Sequence, residues 1–278
     1  DHYEYRLDGG PWASVGLNSS HEFSLSEGHH QVDIKAFDRA GVNTTESVDF
    51  TVDTTEPEVS ISSPENDAAF PHSSVTVNWS GVDDLTGINR YELRRDGGNW
   101  TDMGLETSCD LTFSDGPHVV EVRAVDNANN TVTDQVDFTI DTAPPHLNIS
   151  SPMEDSFIGN DSVVVRWNGI DDISDMAGYE VRLNGGNWTD VGSNSSHTFS
   201  SLADGSHKIE VMGADELGNV KVSTVNFTID NSAPAVTIDS PSEKVNLSRS
   251  SVVVSWQGID SISGIDHYSL KMDDGDWM

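Results

Sequence analysis

The chain has 278 residues, with 47 Asp plus Glu against 14 Lys plus Arg and a formal net charge of −33. This balance excludes nucleic acid as a partner, because binding a phosphate backbone needs a basic surface. A single cysteine, Cys109, excludes an intrachain disulfide, and no apolar run approaches the length of a membrane span.

Self-similarity sets the frame for the elements. Trp12, Trp100, Trp188 and Trp277 recur at spacings of 88, 88 and 89, and Trp79, Trp167 and Trp256 at 88 and 89. Text repeats around the first set as YRLDGGPW, LRRDGGNW, VRLNGGNW and LKMDDGDW. Asp53, Asp141 and Asp230 close the unit in TVDTTEP, TIDTAPP and TIDNSAP. A period near 88 is too long for a solenoid repeat and suits a small, independently folded domain.

In chain order, residues 1–54 open inside the third strand of a repeat and read as the C-terminal part of a domain. Residues 55–142 form a complete unit. Its first strand, Val59-Ser-Ile61, ends at Ser63-Pro64, and Val75, Val77 and Trp79 share one face of the second. Tyr91-Glu-Leu-Arg-Arg precedes the turn Asp96-Gly97-Gly98, which fits a tight hairpin needing positive φ. Trp100 opens a short fourth strand, and Leu111–Phe113, Val120–Ala124 and Val136–Ile140 complete the set. Seven alternating strands and no helical periodicity argue for a two-sheet sandwich. Residues 143–231 repeat this complete unit, and residues 232–278 supply the N-terminal part of another. The fold class is therefore all-β, in tandem seven-stranded sandwiches. Two readings of the ends stay open: a window of a longer array, or a chain end that completes the start of a neighbouring copy.

The aspartate that ends the sixth strand poses a problem. In Val119-Val-Glu-Val-Arg-Ala-Val-Asp126, the acid falls on the parity of Val120, Val122 and Ala124, where a carboxylate is unfavourable. Asp38 and Asp215 occupy the same place in their repeats.

Trp on the second strand (VTVNW, VVVRW, VVVSW) and Tyr opening the third (YELRR, YEVRL) resemble the immunoglobulin-like and fibronectin type III superfamily. More closely, the pattern is similar to the immunoglobulin-like repeats of archaeal and bacterial surface proteins and adhesins. The resemblance implies a stalk, filament or surface-layer element, with metal ions at domain junctions. Its topology brings the linker to the end of the sandwich where the second-to-third and sixth-to-seventh strand loops lie. On that basis Asp53 is expected to meet Asp83, Asp84 and Asp126. Asp141 is expected to meet Asp171, Asp172 and Asp215, and Asp230 to meet Asp260. Converging carboxylates repel unless neutralised, and calcium, which takes six to eight oxygens in loose geometry, is the expected ion. The alternative is that each Asp caps a turn by accepting backbone N–H bonds. Arg39, beside Asp38, weakens the ligand reading in the first repeat.

Eleven Asn-X-Ser/Thr sequons occur, at Asn18, Asn43, Asn78, Asn99, Asn129, Asn148, Asn160, Asn187, Asn194, Asn226 and Asn246. Chance in this composition gives roughly four, so N-linked glycans are expected, against the alternative that Asn, Ser and Thr crowd β-turns. The acidity itself fits a high-salt habitat, divalent-cation sites or a repulsive, solubilising surface. His30, His118 and His207 read as hydrogen-bonding loop residues. Cys109, which His21 and His197 replace in the flanking repeats, reads as a small inward side chain. No nucleophile–base arrangement, phosphate-cradling loop or HExxH is present, so an enzyme is not expected. The reading is an extracellular, glycosylated structural protein whose partners are neighbouring repeats or copies of itself. A carbohydrate-binding array using the Trp12, Trp100, Trp188 and Trp277 set, and a spacer in a secreted enzyme, are the alternatives.

Overall fold

The computed structural model describes residues 1–278 and consists of 22 strands with no helix. The chain divides into two compact units, residues 1–141 and 142–278.

The first unit begins with β1 (His2–Leu7), β2 (Ala13–Gly16), β3 (Gly28–Phe37) and β4 (Asn43–Val52), in one sheet ordered β2-β1-β3-β4. Its sandwich follows: β5 (Glu58–Ser63), β6 (Ala68–Phe70), β7 (Ser74–Val82), β8 (Ile88–Arg95), β9 (Thr101–Gly104), β10 (Ser108–Thr112), β11 (Gly116–Asp126) and β12 (Thr131–Ile140). One sheet is ordered β10-β7-β5 and the other β6-β12-β11-β8-β9. Alternation decides what faces inward. Val75, Val77 and Trp79 of β7 pack on Leu93, Val120, Val122, Val136 and Phe138 of the facing sheet in one buried cluster. Burying such side chains stabilises by about 1.5–3 kcal/mol each relative to exposure. Cys109 sits partly buried against this cluster.

The strand count differs from the sequence expectation of seven by one. Pro64, joined through a cis peptide bond, lacks an N–H and ends the pairing of β5 with β7. The chain then turns through Asp67, at φ 61°, and enters the opposite sheet as β6, parallel to β12. No alternating pattern marks a strand of three residues.

The second unit repeats the plan. Its strands are β13 (His146–Ser151), β14 (Ser156–Ile158), β15 (Val163–Ile170), β16 (Met176–Leu183), β17 (Thr189–Gly192), β18 (Ser196–Phe199), β19 (Gly205–Asp215) and β20 (Val220–Ile229). They form sheets ordered β13-β15-β18 and β14-β20-β19-β16-β17 around Val165, Trp167, Val181, Ile209, Val211 and Phe227. The indole N–H groups of Trp79 and Trp167 are buried without a hydrogen-bond partner. The unit ends with the pair β21 (Ala235–Ser240) and β22 (Ser255–Ile259). Beyond it, residues 266–278 form no strand, although Leu270 and Met278 exchange backbone hydrogen bonds of 2.8 and 2.9 Å.

Candidate metal centre

Asp53, Asp83 and Asp126 come from three separate segments of the first unit. Asp53 follows the last residue of β4, Asp83 begins the loop after β7, and Asp126 ends β11. Each offers a carboxylate oxygen within 4.8 Å of the others. Asp126 is fully buried, Asp53 is nearly so and Asp83 is half-buried. A register shift between Val125 and Asp126 lets both residues face inward, which is how an acid follows an apolar run without leaving the core.

Turn capping and convergence coexist. Asp126 Oδ1 accepts the N–H groups of Ala128 and Asn130, both at 2.8 Å, and its Oδ2 accepts the Asn130 side-chain amide at 2.8 Å. Asp83 Oδ1 accepts the N–H groups of Leu85, Thr86 and Gly87 at 3.2, 2.8 and 2.7 Å. Burial pushes the Asp83 carboxyl upward in pKa, but these amides outweigh it and hold the group below its ordinary value. Asp53 accepts the Thr55 N–H at 3.1 Å on Oδ1 and the Thr86 hydroxyl at 2.6 Å on Oδ2. The Asn130 amide also donates to the Asp53 backbone carbonyl at 3.1 Å, tying the linker to the end of β11.

The donor set is all oxygen, with no His or Cys, so it suits a hard cation rather than zinc. At a calcium–oxygen distance of about 2.4 Å, two ligands of one ion stand up to about 4.8 Å apart, which this spacing meets. The three aspartates would supply part of the shell, and the Thr86 hydroxyl and water are the remaining candidates.

Asp84 does not join the group. Asp83 turns inward to cap residues 85–87, which leaves its neighbour facing solvent. Asp172 is exposed for the same reason, 3.8 Å from the exposed His146. Asp141 is fully buried at the end of β12 in the first unit. In the second unit, Asp171 caps Ile173 and Ser174 at 3.0 and 3.1 Å, and buried Asp215 accepts from Leu217 and Asn219, both at 2.9 Å. Asp230 and Asp260 share the Ser263 N–H at 3.1 and 2.9 Å. Asp38 makes the same cap, to Ala40 and Val42 at 2.8 Å, while Arg39 stays exposed.

Several partners escaped the sequence reading. Thr86 and Asn130 complete the junction, and the Glu27 carboxylate takes the Thr54 N–H at 2.9 Å and the Thr54 and Thr55 hydroxyls at 2.7 Å. Asp204 does the same for Asn231 and Ser232 at 2.9 and 2.7 Å. The repeat register carried the signal, since Thr86, Ser174 and Ser263 align, as do Asn130 and Asn219.

The remaining expected residues fall in two groups. Ten of the eleven sequon asparagines are exposed, and Asn78, within β7, is half-buried. Trp12, Trp100 and Trp188 are half-buried under cations. Arg94 and Arg123 lie 4.5 and 4.3 Å from the Trp100 ring, Arg182 lies 4.3 Å from Trp188, and Lys35 lies 3.8 Å from Trp12. This covers indole surface that a sugar would need. Trp277 is exposed.

A family model described as a bacterial Ig domain matches residues 57–133. The chain is similar to halomucin of Haloquadratum walsbyi, at 29% identity over 58% of this chain. It spans about 2% of that relative's length. Among solved structures, it resembles the fibronectin(III)-like modules of Clostridium thermocellum CbhA (14% identity, 62% of this chain and 94% of that chain, TM-score 0.35). It also resembles a 1.5-MDa bacterial ice-binding adhesin (19% identity, 82% and 85%, TM-score 0.38). A third is the outer capsid protein Hoc of bacteriophage RB49 (10% identity, 84% and 88%, TM-score 0.40).

Proposed function

We propose that this tandem array of immunoglobulin-like repeats is a structural segment of a cell-surface protein, with calcium at the repeat junctions and N-linked glycans on its exposed asparagines. The carrying observation is the junction in the first unit. There the linker residue Asp53 is held by Thr86 and Asn130 and faces two further acids within 4.8 Å. A loose linker would need none of these contacts. An ion there would neutralise three carboxylates and fix the linker to the sandwich that follows. The similarity to halomucin supports a surface role, and ten exposed sequons support glycosylation. The role is read as non-enzymatic, a reading supported by the match to a bacterial Ig domain. The sugar-binding alternative loses ground because Trp100 and Trp188 lie under guanidinium groups.

The test is calorimetric melting and small-angle scattering of the chain with calcium and then with chelator. A higher melting temperature and a narrower distance distribution with calcium are expected. No change in either removes calcium from the reading. Immunogold labelling of native cells with antibody to the chain tests the location, and labelling confined to the cell interior overturns it.

A further inference from the structure

Each repeat joins its hairpin turn to the loop before the next long strand through one histidine. Asp8, Asp96 and Asn184 open the three Gly-Gly turns in left-handed backbone, at φ 50°, 51° and 52°. Their Oδ1 atoms accept the N–H of the residue after the histidine: Gln31 at 2.8 Å, Val119 at 3.0 Å and Lys208 at 2.8 Å. Their other terminal atom meets histidine Nδ1. The distances are 2.8 Å from Asp8 to His30, 3.0 Å from Asp96 to His118 and 3.0 Å from Asn184 to His207. In all three, Nε2 lies 2.8 Å from a backbone carbonyl four residues earlier, that of Ser26, Ser114 or Ala203.

Donor and acceptor chemistry then fixes the ring hydrogens. A carbonyl only accepts, so Nε2 must carry a hydrogen in every repeat. A carboxylate also only accepts, so His30 and His118 need a second hydrogen on Nδ1 to make both bonds. Asn184 is different. The Lys208 N–H assigns its oxygen, so its NH2 group faces His207, and Nδ1 there must be a bare acceptor.

We propose that this contact is a proton-operated clasp with opposite polarity in successive repeats: closed by a cationic ring in the first two and by a neutral ring in the third. When His30 loses a proton, its Nδ1 lone pair faces the Asp8 carboxylate and the turn is released. When His207 gains one, two N–H groups face each other and the third clasp opens instead. The groups facing His30 are Asp8, the Ser26 carbonyl and the Phe50 ring, with His29 and Asp49 lining the same depression. Those facing His118 are Asp96, with Arg95 acting on it, the Ser114 carbonyl, and the Phe113 and Phe138 rings. Those around His207 are Asn184, the Ala203 carbonyl and Phe227, with Asp155 and Lys208 lining the depression. Consistent with the geometry, the Ser26 carbonyl and Asp8 hold the His30 ring above its ordinary pKa.

The test uses the full chain, 15N-labelled, with amide exchange read as protection factors across pH and ring tautomers read by long-range nitrogen–proton correlation. Protection of Gln31 and Val119 should fall about tenfold per pH unit once the imidazolium is lost, while protection of Lys208 should fall on acidification. Asn184→Asp should invert the Lys208 response, and Asp8→Asn should invert that of Gln31. Should Asp8→Asn unfold its sheet, the Asn184→Asp inversion still decides. Equal pH responses at Gln31 and Lys208 in the unmodified chain, or an unchanged Lys208 response in Asn184→Asp, would overturn the proposal.

Discussion

The Tyr91 hydroxyl donates to the Gly81 carbonyl at 3.2 Å, and its ring occupies the space that a Cβ on Gly81 would need. Such a Cβ would stand 3.0 Å from two ring-side atoms and 2.7 Å from the Glu58 carbonyl. Tyr179 and Gly169 repeat the pair, with the hydroxyl 3.3 Å from the carbonyl. Gly81→Ala should therefore force the tyrosine off its rotamer, at about 1–3 kcal/mol, the usual cost of overpacking. Tyr91→Phe, which removes only the hydrogen bond, should cost about 0.5–1.5 kcal/mol. Urea unfolding of the two variants checks the order, and an Ala variant as stable as the parent would show that the backbone yields instead.

Trp79 fills the middle of the first sandwich with its indole N–H unpaired. Trp79→Ala should cost about 3–5 kcal/mol through the cavity it leaves. Trp79→Phe should cost less, because it also removes a buried donor that has no acceptor. Thermal melting of both variants gives the comparison.

Asp126 separates capping from ion binding. Asp126→Ala strips the acceptor from the Ala128 and Asn130 amides and should destabilise by roughly 2 kcal/mol or more with or without calcium. Asp126→Asn keeps an acceptor oxygen for the two turn amides but removes the charge and the acceptor for the Asn130 side chain. It should be more stable in chelator than the Ala variant while losing the calcium-dependent rise in melting temperature. A full calcium response in the Asn variant would place the ion elsewhere.

Acid stability follows from carboxylates held below their ordinary values. Arg94 lowers Glu121 through a hydrogen bond. Burial raises Glu92, but its bonds to Arg123 and Arg90 outweigh that, and the amides of residues 85–87 do the same for Asp83. Because these pKa values are lower in the folded chain, their contribution is complete above the unfolded values near pH 4 and is lost as pH falls through the folded ones. Urea midpoints should stay level from neutral pH to about 5 and fall below about 4. Glu121→Gln should make that fall shallower.

The net charge of −33 predicts a salt response separate from any ion site. Like charges on a compact surface repel, and salt screens them within about 10 Å at 0.1 M. Melting temperature should rise with potassium chloride even in chelator and in the Asp126→Asn variant. A flat profile would show that the acids are already compensated.

Much of this was legible because the chain repeats itself. Alternation gave the inward faces of β7 and β11, and the sandwich topology implied by the family resemblance directed Asp53, Asp83, Asp84 and Asp126 to one end of the domain. Three features were not legible, each for a physical reason. The strand β6 is three residues long and pairs in parallel, so no local pattern announces it. Asp84 and Asp83 are indistinguishable in sequence, and only the inward turn of one onto residues 85–87 separates them. The linker anchor Glu27 lies 27 positions from Thr54, and a single carboxylate in a loop carries no sign of its partner.

The placement of β6 has a mechanical consequence. It lies near the start of the sandwich, β12 ends it, and the two run parallel with Phe138 opposite Ala68 and Ile140 opposite Phe70. Tension applied through the two ends of the domain drags these neighbours past each other along their length. Their hydrogen bonds then carry the load together, in shear, rather than parting one after another as in a zipper. A domain built this way resists stretching at the point where its chain enters and leaves.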